Sequence, residues 1–302
     1  MIDPASAVKG GWAGAGLSGG PVVLDVGATT TRVTIPREDG LQPPRYSRTP
    51  ALQGPEAVTR HLATEILSLN PRPSRVGVAI FGFVEDGHVT ALDTSIAPGW
   101  QQFPLQCRLE EALRCPVQVV NDAHAAALGE YQALGVTENF LYVTVSTGIG
   151  GGLVLPSRTG GAAYSGPAEL GYVPVLTPQG QQLVEYLSSG SALSRLAGEQ
   201  GYRDVQQLYR AAEAGDAQAE GLIRAALAPL AEKVLGLTAP LSIRRVALGG
   251  GVGFRPLSLK ILTQHLQASL CPVKPILQHA VLGDSAGLAG MASLTPLLSG
   301  EA

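Results

Sequence analysis

One pattern limits what this chain can fold into more than any other. It occurs once near the start and again near the middle. Residues 21–26 (PVVLDV) read as a buried strand, Gly27-Ala28 as a tight turn, and residues 29–36 (TTTRVTIP) as a second strand. Near the middle, Phe140–Val145 and Gly152–Leu155 read as strands on either side of Ser146-Thr147-Gly148-Ile149-Gly150-Gly151-Gly152. Both units are strand, Thr- and Gly-rich turn, strand. Each opens a series of further strands alternating with helices, which is the pattern of α/β architecture with buried sheets. A duplicated opening unit implies two related α/β lobes facing one cleft.

The remaining elements fill that frame. Helical periodicity covers residues 55–69, 105–113, 123–134, 181–197, 203–213, 216–237 and about 285–298. Strands are expected at 74–81, 117–120 and 244–248. With 302 residues, 45% hydrophobic and 15% charged, the chain can bury a sizeable core. A formal charge of −3 gives no overall field for nucleic acid or an anionic membrane. No apolar run approaches the roughly 20 residues of a membrane span, and the first twenty residues lack a signal-peptide core, so the expected compartment is the cytoplasm. Residues 1–20 read as a flexible tail. A GxGxxG match at 14–19 and a GxSxG match at 16–20 both lack the preceding strand that would give them meaning. The expected division is a small lobe at 21–120, joined by the last helix, and a large lobe at 121–284.

Several residue groups can carry chemistry. Threonine hydroxyls and successive N–H groups in the two turns can grip phosphate from two sides, although each turn alone is also an ordinary hairpin turn. There is no Walker A sequence. Asn121-Asp122 ends a strand and starts a helix, so Asp122 is either a helix N-cap or a carboxylate at the sheet edge where α/β ligand sites lie. There it could take a proton from a substrate hydroxyl. The helix N-terminus would keep it ionised and therefore a weak base. Gly249-Gly250-Gly251 permits close approach of a ring or a phosphate. Glu169 and Glu185 can accept sugar hydroxyls, with solvent exposure as the alternative. The five histidines have no metal-binding spacing, and the three cysteines (107, 115, 271) make neither a disulfide framework nor a zinc site.

In order and spacing these segments resemble the ROK family (repressor, open reading frame, kinase), in particular its bacterial glucokinases. VVLDVGATTTR is similar to that family's first phosphate motif, at Asp25, Gly27 and Thr29. VTVSTGIGGGLV is similar to the second, at Thr147 and Gly148. VNDAHAAALGEY is similar to the catalytic segment, which implies Asp122 as general base and Asn121 as a sugar ligand. GPAELGY and EYLSSGSAL imply Glu169 and Glu185 on sugar hydroxyls. VALGGGV, with Gly249 and Gly250, resembles the adenosine segment.

The resemblance implies the actin-like ATPase (ribonuclease H-like) fold with two lobes around a central cleft. It also implies Mg²⁺ and ATP, transfer to the 6-hydroxyl of glucose, and a homodimer with neither nucleic acid nor membrane as partner. The alternatives are a kinase for N-acetylglucosamine, mannose or fructose, or a non-catalytic sugar sensor. The last lacks support, because no basic recognition helix is present. Departures from the family lie in the sugar shell. Tyr172 stands where histidine is usual, Phe81-Gly82 where Pro-Gly is usual, and Ile96-Ala97 where Asn-Leu is usual. The family's cysteine-rich zinc loop is missing, so no zinc is expected. The segment after Tyr172 must then be ordered by packing, with Leu183, Val184 and Leu187 available for it.

Overall fold

The computed structural model describes residues 19–91, 93–157 and 164–295; the motif matches at 14–20 lie largely outside this range. Two five-stranded sheets form its frame. The first contains β1 (Val22–Val26), β2 (Thr30–Thr34), β3 (Arg45–Arg48), β4 (Val76–Ile80) and β5 (Val117–Asn121) in the order β3-β2-β1-β4-β5. The second contains β6 (Phe140–Val145), β7 (Ile149–Leu155), β8 (Tyr164–Pro167), β9 (Arg245–Gly249) and β10 (Ile276–His279) in the order β8-β7-β6-β9-β10. In both sheets the first three strands of the chain pair antiparallel and the other two join parallel to the leading strand's far side. The repeat seen in sequence therefore extends to the topology of both sheets.

Alternation along β1 shows how each sheet is used. Val22, Leu24 and Val26 pack with Val58, Leu62 and Ile66 of α1 (Pro55–Leu69) and with Leu105 and Leu109 of α2 (Leu105–Leu113). Val23 points the other way, into a cluster with Ala125 of α3 (Asp122–Ala133) and Leu288 and Met291 of α10 (Ala286–Leu294). Residue 25 shares that second face. The second sheet mirrors this. Leu141, Val143 and Val145 face a large core that includes α5 (Gly190–Glu199), α6 (Val205–Glu213), α7 (Ala217–Thr238), α8 (Gly250–Gly253) and α9 (Pro256–Ala268). Phe140 and Tyr142 face Ala126, Ala127 and Ala286. Helices α3 and α10 thus form a layer between the two sheets.

Three expectations change. The glycine run 150–152 lies inside β7 rather than between strands, because α3 rests on it. A Cβ at Gly150 would stand 2.9 Å from the Ala123 Cβ, and one at Gly152 2.5 Å from the Ala127 Cβ. The helix expected at 181–197 is two helices, α4 (Val184–Ser188) and α5, separated at Ser189, whose Oγ caps α5 by accepting from Ala192 N–H at 3.1 Å. Residues 180–183 are instead a strand paired with 174–177. Leu183 is 40% exposed, so hairpin hydrogen bonds hold this segment where side-chain packing was expected, and only Val184 is fully buried. Strand β3 gave no sequence signal, since Arg-Tyr-Ser-Arg at a sheet edge has no buried face.

Candidate active site

The site begins where β5 runs into α3. Asn121 is extended, and its Oδ1 accepts from the N–H groups of Ala123 (2.9 Å) and His124 (3.1 Å), while its Nδ2 donates to the Gly82 carbonyl at 2.8 Å. The capping role therefore belongs to Asn121, which keeps one amide proton for a ligand. Asp122 occupies the first helical turn and accepts only the Ala123 N–H at its Oδ1, 2.8 Å away. Burial pushes its carboxyl up to about 7. The negative charge of Asp25 adds to the rise, the Ala123 hydrogen bond opposes it, and Glu169 adds a smaller push. The weak base expected from the helix N-terminus is corrected accordingly: burial and the neighbouring carboxylates raise Asp122.

Asp25 lies on the face of β1 that meets α10. A Cβ at Gly287 would stand 2.9 Å from the Asp25 Cγ, so only glycine lets the helix approach this carboxylate. Burial raises Asp25 to about 6, against the lowering effect of Arg32, whose Nη1 lies 3.0 Å from Oδ2. Glu169 has a left-handed backbone (φ 45°), a buried Oε1 with no partner, and a carboxyl raised by burial. Strain together with an orphaned acceptor marks a group that waits for a donor. Tyr172 is pushed up to about 12 by burial and by the charges of Glu185, Glu169 and Asp122. Glu185 opens α4 and accepts the Ile149 N–H at 2.8 Å. A Cβ at Gly148 would come within 2.5 Å of the same oxygen, Oε2. Asp25, Asp122, Glu169, Tyr172 and Glu185 therefore share one electrostatic neighbourhood.

The two turns differ in detail. Gly27 N–H is spent on the Thr30 carbonyl (2.9 Å), leaving the exposed Thr29 hydroxyl as the first turn's clearest offer to a phosphate. In the second turn, Ser146 N–H closes on the Gly148 carbonyl (2.9 Å). The carbonyls of Ser146 and Thr147 take the N–H groups of Gly190 (2.7 Å) and Ser191 (3.1 Å) at the start of α5, and the Thr147 side chain stays exposed. Gly249 ends β9. Gly250 follows at φ 80° against the Val145 carbonyl, which puts the third glycine segment beside the second turn. Phe81, expected to reshape the sugar shell, sets its ring edge-on to Trp100 at 5.3 Å. Ile96 is 43% exposed.

Sequence reasoning missed four residues. Arg32 pairs with Asp25 and also with Asp284, which lies just ahead of α10; its signal was available, since a tight turn between β1 and β2 sets residue 32 directly opposite residue 25. His124 hydrogen-bonds Ser165 (3.2 Å), and burial lowers it to about 4, so it stays neutral. Glu130 is fully buried and accepts the N–H groups of Val281 and Leu282, both at 2.8 Å, which fixes the approach to α10.

A family model described as "ROK family" matches residues 22–297. An N-acetylmannosamine kinase from Escherichia coli (strain Crooks) is 32% identical over 286 residues, covering 90% of this chain and 97% of that protein. The bifunctional enzyme NanE/NanK of Brucella melitensis is 32% identical over 275 residues, covering 90% of this chain but 53% of that protein. The chain thus spans about half the length of such bifunctional relatives. Among solved structures, a ROK hexokinase from Thermus thermophilus matches with a TM-score of 0.72 and 32% identity, covering 90% of this chain and 96% of that one. A ROK glucokinase from Streptomyces griseus, in complex with glucose and AMPPNP, matches at 0.70 and 25%, covering 91% and 98%.

Proposed function

The chain belongs to the ROK family and has the actin-like ATPase fold, and on that premise we propose that it is an ATP-dependent hexose kinase acting on a 6-hydroxyl. The observation that carries this reading is Asp122, a carboxylate at a strand-to-helix junction, poised near neutrality and facing Asp25 and Glu169. A base with that affinity accepts a hydroxyl proton late in a loose phosphoryl transfer without being permanently protonated at neutral pH.

The other roles follow from chemistry and placement. Glu169, with its unpartnered Oε1, accepts a sugar hydroxyl, and Glu185, Asn121, Gly82 and Tyr172 complete the sugar shell. Thr29 and Gly27 on one turn, and Thr147 and Gly148 on the other, hold the phosphates. Gly249 and Gly250 leave room for the adenosine. Among the described residues no cluster of three or more His, Cys, Asp or Glu could hold a metal. A Mg²⁺ ion held by one carboxylate, water and phosphates fits that donor set, and Asp25 has its Oδ1 left for it. When bound, the ion neutralises charge that builds on the transferring phosphoryl group.

Glucose is the sugar this reading puts first. N-acetylmannosamine is the second, favoured by the kinases of that sugar at 32% identity. A coupled ADP-release assay over glucose, mannose, fructose, N-acetylglucosamine and N-acetylmannosamine decides between them. Turnover with none of the five sinks the kinase reading. Light scattering after size exclusion tests the accompanying proposal of a homodimer.

A further inference from the structure

The candidate site is rich in carboxylates and has one cation built into it. Asp122 feels the charges of Asp25 and Glu169, and burial raises all three. Arg32 is the guanidinium among them. The antiparallel register sets it across from Asp25 on one side and Tyr46 on the other, so Asp25, Arg32 and Tyr46 form a row over three neighbouring strands on one face of the sheet. Its Nη1 meets Asp25 Oδ2 at 3.0 Å, its Nη2 meets Asp284 Oδ2 at 3.2 Å, and its guanidinium carbon lies 5.9 Å from the Tyr46 ring centroid. The Arg32–Asp25 pair is largely removed from solvent, with side chains 18% and 14% exposed, whereas Asp284 is 82% exposed. Arg32 Nε is buried without a partner.

We propose that Arg32 is a stand-in counter-ion: it holds the Asp25 carboxylate in the ligand-free protein and yields it to the divalent cation that arrives with the phosphate donor. Three observations support an exchange rather than a permanent bridge. Arg32 uses one oxygen of Asp25 and leaves the other. Its second carboxylate, Asp284, is exposed and offers a weak, screened contact that is readily given up. The Tyr46 ring on the adjacent strand gives the released guanidinium a surface to rest on. Without a counter-ion, an ionised Asp25 would stand buried near Asp122, which is a costly arrangement. Arg32 is therefore a positioning residue: it acts on the reaction through Asp25. The inference rests on the kinase reading only for the identity of the cation.

The test separates the two. Wild type, Arg32→Gln and the double variant Arg32→Gln with Asp25→Asn are melted without sugar or nucleotide, with and without millimolar MgCl₂. The wild type should be insensitive to Mg²⁺. Arg32→Gln should melt lower and regain stability with Mg²⁺, and the double variant should lose that response. In turnover, Arg32→Gln should need about tenfold less Mg²⁺ for half-saturation, because one charge-assisted hydrogen bond no longer competes for Asp25. Should Arg32→Gln fail to fold, Arg32→Met, which keeps an extended apolar stem and removes the charge, carries the same test. An equal Mg²⁺ response in wild type and variant overturns the exchange, as does a higher Mg²⁺ requirement in the variant. Absence of turnover with every sugar would sink the kinase reading while leaving the melting result intact.

Discussion

At the scale of single residues, the proposed reaction depends on how Asp122 is held. Its capping duty has passed to Asn121, and its carboxyl sits at about 7 in place of the ordinary 3.8. For a carboxyl raised on folding, the native state keeps a proton between about pH 4 and 7 that the unfolded chain has released. Stability of the ligand-free protein therefore falls as pH rises through that window. Asp122→Asn should flatten this part of a melting-temperature profile and lower kcat by about 10²-fold or more, with the fold retained. Near wild-type kcat in the variant would remove Asp122 from the mechanism. The phosphate turns call for a more careful choice of variant. Thr147→Val removes one exposed hydroxyl and should raise the KM for ATP by about tenfold while leaving sugar affinity unchanged. Gly148→Val is not a clean probe, because its Cβ would press on Glu185 Oε2, a proposed sugar ligand.

At the scale of elements, glycine sets how closely helices approach. Gly129 of α3 and Gly290 of α10 lie at the crossing of the two helices. A Cβ on Gly129 would run into the Ala286 carbonyl and stand 3.0 Å from the Gly290 nitrogen. Gly129→Val should cost about 1–3 kcal/mol in urea denaturation, the usual penalty of overpacking. It should also weaken nucleotide binding, because α10 carries Gly287 against Asp25. The hairpin 174–183 makes a second prediction. Its order comes from a backbone ladder and from Thr177, whose hydroxyl donates to the Gly180 carbonyl (2.8 Å) and accepts the Gln179 N–H (3.2 Å). Incubation with EDTA should leave the melting temperature unchanged, and a drop would reveal a structural metal. These elements also show what the sequence could tell. Helices 55–69 and 105–113 were legible to the residue because their apolar spacing and boundaries agree. The 150–152 strand was not, since its glycines answer to α3, a helix that only the fold brings near. The Arg32–Asp25 pair was legible in principle from the turn between them, whereas Asp284 reaches Arg32 only through the tertiary fold.

At the scale of the whole molecule, the proposed sugar shell is drawn from both halves of the chain. Gly82 and Asn121 come from the first sheet's strand ends, and Glu169, Tyr172 and Glu185 from segments that pack with the second. The division we propose, 21–120 with the last helix against 121–284, puts Gly82 on one lobe and Glu169, Tyr172 and Glu185 on the other, with Asn121 at the junction, and lets the lobes move relative to each other. The chemistry requires such movement. Water is smaller than a hexose and competes for the same phosphoryl group, so a cleft that stayed closed would exclude sugar and one that stayed open would waste ATP. A sugar whose hydroxyls satisfy Glu169 on one lobe and meet the Gly82 segment on the other gains most when the lobes close. Two measurements follow. In small-angle scattering, the sugar that leads the panel, added with a non-hydrolysable nucleotide, should reduce the radius of gyration. ATP hydrolysis without sugar should be far slower than phosphorylation of the sugar. A radius unchanged by ligands, together with sugar-independent hydrolysis as fast as transfer, would mean that the cleft does not close, and water exclusion would have to come from a rigid pocket.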